Sequence, residues 1–103
     1  MINANTIKVK DIIKSNIACN IDNADILFNI IDSYLKDNKS INVSFEGIDI
    51  MINAFLGDLL QSIYEKYSVK FINKHIEFVN FKRIHLESYN IFIINIKKYY
   101  IGK

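Results

Sequence analysis

Proline is missing from all 103 residues, glycine occurs three times, at positions 47, 57 and 102, and cysteine occurs once, at Cys19. A single cysteine excludes an internal disulfide and any multi-cysteine metal site, so a reducing compartment fits. Cys19 itself reads as a small buried hydrophobe. Without proline-rich or glycine-rich linkers, and without an internal repeat, nothing marks a boundary, and residues 1–103 are read as one domain. Neither G-x-x-x-x-G-K-[ST] nor G-x-G-x-x-G occurs, so the common phosphate-cradling loops are absent. There is no HxxxH and no Cys/His cluster. His75 is read as opening a strand and His85 as lying near a helix start, both as surface or capping residues, so neither a metal nor a cofactor is expected.

Charge of one sign is also scarce. Thirteen Lys plus Arg against eleven Asp plus Glu give a net charge of +2, too small and too evenly spread for a nucleic-acid or membrane footprint. Lys97, Lys98 and Lys103 cluster near the C-terminus, which reads as a solvated helix end. The opening MINANTIKVK lacks the apolar stretch of about 7 to 15 residues that a signal peptide needs, and the run Ile91–Ile94 is far too short to span a bilayer. A cytoplasmic protein is expected, so the sequons at Asn38 and Asn42 are read as chance. The abundance of Asn, Lys and Ile suggests an AT-rich coding sequence from a low-GC bacterium or its phage.

What remains is a normal globular chain: half the residues are apolar and 23% are charged, enough for one core. Short elements alternate along it. Thr6–Val9 reads as a first strand, and Asp11–Asn20 as either a second edge strand or irregular structure. Ala24, Leu27, Phe28, Ile31, Tyr34 and Leu35 then fall on one helical face, with Asp22 or Asn23 as the cap. Ile41, Val43 and Phe45 alternate with Asn42 and Ser44 as a strand that Glu46-Gly47 ends. Ile52, Phe55, Leu56, Leu59, Leu60, Ile63 and Tyr67 lay a second helical stripe, and His75–Asn80 reads as a third strand. Residues 84–100 fit a helix or a β-branched edge strand, and the helix is favoured because an αβαβα order lets it cover the sheet. The expected fold is α/β, with about four mostly parallel strands and three helices.

Catalysis finds little support. Asp49 and Asp58 fall on different turns and no second acid is placed beside either by local spacing. A triad assembled in space leaves no local signature here, so a non-enzyme is expected.

The run SFEGIDIMINAFLGDLL, Ser44–Leu60, is similar to the hallmark of STAS-like domains, relatives of bacterial anti-sigma factor antagonists, in which a strand D-F-x-G-V leads through a turn to S-F and an amphipathic helix. Ser44–Ile48 matches the strand end, Phe55 the helix-start aromatic, and Ile76–Asn80 (IEFVN) the following strand, with the likeness covering roughly residues 20–85. In that family the turn carries a serine phosphorylated by a partner kinase, which adds about two negative charges at a helix N-terminus. Its place falls here on Asn53 or, one residue later, Ala54, and neither accepts phosphate. The strand-end Asp of the family is Ser44. The resemblance implies a non-catalytic interaction module that binds a partner protein, a histidine-kinase-like ATPase in the wider family. Asp49, Ile50, Met51, Asn53, Ala54 and Asp58 form the expected docking surface, although Ile50, Met51 and Ile52 read equally well as packing residues. Two other functions fit the same chain. One is a nucleotide- or small-ligand-binding module using the free N–H groups at the start of the second helix. The other is a phage or mobile-element inhibitor of a host protein.

Overall fold

The computed structural model describes residues 5–100; Met1–Ala4 of the opening stretch, and Gly102 and Lys103, lie outside them. Ten elements follow in order: β1 (Asn5–Lys8), α1 (Val9–Ile13), β2 (Ile17–Ala18), α2 (Ile21–Lys36), β3 (Ile41–Ser44), β4 (Ile50–Met51), α3 (Asn53–Lys66), α4 (Val69–His75), β5 (Ile76–Val79) and α5 (Arg83–Tyr100). The main sheet runs β1-β3-β5 and a separate ribbon pairs β2 with β4, every pair being parallel.

Period-two alternation decides which face of the main sheet is covered. Register aligns Ile7 with Val43 and Phe78, and Ile41 with Ile76; these residues join Leu27, Ile31 and Leu35 of α2 and Leu56, Leu59 and Ile63 of α3 in one core. The opposite face carries Thr6, Asn42 and Glu77 in register and stays polar. Helices α2 and α3 pack against each other, and α5 packs on α3. Asp32, on the buried side of α2, accepts hydrogen bonds from Tyr67 Oη and from Lys66 Nζ at 2.8 Å, which ties α2 to the end of α3.

The expected α/β class and parallel pairing hold, whereas the element counts change: five helices replace three, and strands of two sheets replace one sheet of about four. Asp11–Asn20, read as edge strand or irregular, splits into the end of α1, a left-handed Lys14 (φ 57°) and the two-residue β2. The α2 cap is Asn20, whose side chain accepts from the Asp22 amide, rather than Asp22 or Asn23. His75 closes α4 instead of opening β5, because the Ser68 hydroxyl caps a short extra helix through the Phe71 amide. Residues 83–100 are helical. Cys19 is exposed rather than buried, since the one-residue alternation of β2 turns its neighbour Ala18 inward. Among the described residues no helix is long and apolar enough to cross a membrane.

Candidate functional site

The segment between β3 and α3 is built by two constraints. Phe45 and Ile48 are buried on either side of Glu46-Gly47, and the Ile48 amide donates to the Phe45 carbonyl at 3.1 Å, closing a tight turn. Gly47 sits at φ 83°, a left-handed angle that favours glycine, and the flexible Lys10 stem lies across it, its Cδ 2.9 Å from where a Cβ would stand. The chain then rises beside residues 16–18. The amides of Asp49 and Ile50 donate to the Asn16 carbonyl, and that of Ile52 to the Ala18 carbonyl at 3.0 Å.

This ribbon sorts its side chains by alternation. Ala18 and Met51, which are register partners, point inward, Ala18 fully buried and Met51 packed against the core. Ile17 and Ile50, also partners, turn outward at 40% and 54% exposure, and Ile52 follows at 39%. Three isoleucines therefore stand side by side in water, directly before the first turn of α3.

The mouth of α3 is open. Its N-cap is Ile52, in extended conformation and with no side-chain acceptor to offer, and the first turn holds no acidic residue. Asn53 and Ala54 are exposed there, so the positive end of the helix has neither a side-chain cap nor an acidic residue in its own first turn. Phe55 is fully buried beneath them and fixes the angle at which the helix leaves the ribbon.

Asp49 is a clamp. Its carboxylate accepts from Asn16 Nδ2 at 2.7 Å and pairs with Lys82 Nζ at 2.8 Å, so it joins the ribbon to the segment leading into α5. The hydrogen bonds from Lys82 and then Asn16 hold its carboxyl below the usual range. Asp58 faces another way: the carboxyl of Asp25 on α2 stands against it, and Asp58 Oδ2 is shut off from solvent with no hydrogen-bond partner among the described residues. Burial first, and then Asp25, push the Asp58 carboxyl up. The second acid that local spacing did not supply thus comes from the neighbouring helix.

Of the six residues read from the sequence, Ile50, Asn53 and Ala54 share the exposed surface, Met51 is turned inward, Asp49 is engaged as a clamp and Asp58 lies at the α2–α3 contact. Ile17 completes the surface from a strand two residues long, too short to leave a periodic signal. Lys10 and Lys14 line a polar groove of about 640 Å³ beside the ribbon, together with Asn16 and Asp49. His85 differs from its expected surface position. It is 6% exposed, and its Nδ1 has no partner among the described residues; burial, aided by Lys82 and opposed by Asp49, pushes its pKa down.

No curated protein and no solved structure matches the chain. A family model described as a STAS-like domain of unknown function (DUF4325) matches residues 23–83, from the first turn of α2 to the first residue of α5.

Proposed function

Since the chain belongs to this STAS-like family, we propose that it is a non-catalytic interaction module that docks a partner protein on the β2–β4 ribbon and the mouth of α3. The observation that carries this reading is the row of Ile17, Ile50 and Ile52, aligned and exposed although alternate residues of the same ribbon are buried. A contiguous apolar row rimmed by polar groups is the ordinary form of an interaction site. Asn16, Asp49, Lys10 and Lys14 supply the rim. The row lies beside Asn53 and Ala54, where the family resemblance puts the phosphoserine. With no hydroxyl at either place, docking here is constitutive rather than switched by phosphorylation. A histidine-kinase-like ATPase is the partner class that the resemblance favours.

Isothermal titration against such an ATPase from the same genome tests this. Wild type should bind, Ile50→Asp should not, and Asn53→Glu should bind at least about tenfold more weakly, because its carboxylate compensates the helix end that the partner would otherwise meet. Both variants should keep the wild-type circular dichroism. Undiminished binding by both would refute the docking surface.

A small-ligand function is favoured by one feature, a hollow of about 870 Å³ at the far end of α3, lined in part by Tyr64, Lys66, Tyr67 and Lys70. ATP or GTP held there at a hundredfold excess over its dissociation constant would stabilise the fold by about 2.7 kcal/mol, and an unchanged melting temperature with either nucleotide would discard that function.

A further inference from the structure

Helix α5 presents two different faces. Phe92, Ile93, Ile96 and Tyr100 pack against the core, while Ile91 and Ile94 on the other side are 62% and 56% exposed, with Ile84 also exposed one heptad before Ile91. Two charged residues bracket the pair: Glu87 stands four positions before Ile91, and Lys98 four positions after Ile94. Both are exposed, and neither enters an ion pair among the described residues.

We infer that the outer face of α5 is a self-association surface that takes a second copy of this chain with its α5 antiparallel. Residues 87, 91, 94 and 98 occupy alternating d and a positions of a heptad, so they form one seam. The seam is a palindrome in size and an inverted palindrome in charge. A two-fold axis between Phe92 and Ile93 sets Ile91 against Ile94 of the second copy and Ile94 against its Ile91. The same axis sets Glu87 against Lys98 of the second copy and Lys98 against its Glu87. One operation therefore satisfies both the apolar layers and the charges, which is the self-complementarity that an isologous interface demands. A parallel pairing would instead face Glu87 with Glu87 and Lys98 with Lys98. The surface is separate from the β2–β4 ribbon, and it lies on the helix that the family match barely enters.

The interface is small, so dissociation is expected at roughly 10 to 100 µM. Sedimentation velocity across that range should show a monomer–dimer equilibrium for wild type. Glu87→Lys and Lys98→Glu, both surface changes, should each weaken self-association by about tenfold by facing like charges at two layers per dimer. The double reversal should restore it. An equimolar mixture of the two single variants should form a heterodimer, since each supplies the charge that the other needs. Ile50→Asp, on the ribbon, should leave the equilibrium unchanged. A wild type that stays monomeric up to about 500 µM, or a dimer indifferent to the single reversals, would overturn the inference.

Discussion

Replacing Asp58 with Asn should make the protein more stable, and the gain should disappear in acid. Two costs act on the native carboxylate. Its Oδ2 is closed off from water without a donor, and the Asp25 carboxyl stands against it. An unsatisfied buried polar atom costs about 1–3 kcal/mol. Asp58 is half-buried and Asp25 exposed, so solvent screens part of this and about 0.5–1.5 kcal/mol is expected near neutral pH. The amide keeps the shape, carries no charge and offers Asp25 a donor. The sign follows from linkage: a carboxyl whose folded pKa is raised contributes most below its unfolded value, near 3.8, and loses that contribution as pH rises through the folded value. Urea unfolding should show equal midpoints near pH 3 and a variant midpoint higher by roughly 0.5–1 M near pH 7, with the slope unchanged. A variant no more stable than wild type near neutrality, or a gain that persists undiminished in acid, would refute this account of the α2–α3 contact.

Asp32 should behave in the opposite sense. Burial pushes its carboxyl up, but the hydrogen bonds from Lys66 and Tyr67 outweigh burial and hold it below 3.8. Its stabilisation is present above that value and is lost as pH falls through the lower folded one. Asp32→Asn should cost about 1 kcal/mol near pH 7, modest because both lysine partners are largely solvated, and the cost should fade in acidic urea titrations. Burial and then Asp32 push the Tyr67 phenol up to about 12; ultraviolet titration should find it there in wild type and lower in Asp32→Asn, though still raised by the burial that remains. At Gly57 an added Cβ would lie 3.1 Å from Phe92 Cε1, so Gly57→Ala should forgo the usual helical gain of about 1 kcal/mol. Gly57→Leu should release α5, seen as faster amide exchange over residues 83–100 with the rest of the chain still protected.

Much of this architecture is legible in the sequence where an element is long enough to repeat. Ala24, Leu27, Ile31 and Leu35 mark the buried face of α2, and Phe55, Leu56, Leu59, Leu60 and Ile63 that of α3, because their period of 3.6 holds over three or more turns, whereas the β-branched run Ile91–Ile94 leaves α5, though longer, open to a strand reading. Elements of one turn or two residues leave no period. Helix α1 ends at a left-handed lysine where glycine would have been the signal, and α4 hides behind the β-branched and aromatic residues that also suit a strand. The site was legible in part. The family resemblance points to Ile50, Asn53 and Ala54, which share the exposed surface, and alternation alone could have turned Met51 inward once its strand was known. Ile17, the Lys82 pairing with Asp49 and the Asp25 pairing with Asp58 each join distant segments, and no local pattern encodes them. His85 departs from expectation because a polar residue at a helix start ordinarily faces water, whereas its place is 6% exposed.

The order β1-β3-β5 also governs how quickly the chain reaches its native state. Asn5 must find Ile41, and Ile41 must find Ile76, so both edges of the central strand wait for partners separated from it by whole helices. Contacts of such sequence separation lose loop entropy before they gain burial, which slows folding relative to helical domains of equal size. The order of synthesis sharpens this. At about 5–20 residues per second, β3 is made seconds before β5, and Val43 and Phe45 have one bare strand edge until Ile76–Val79 arrives. The nascent chain is therefore most prone to mispairing in that interval.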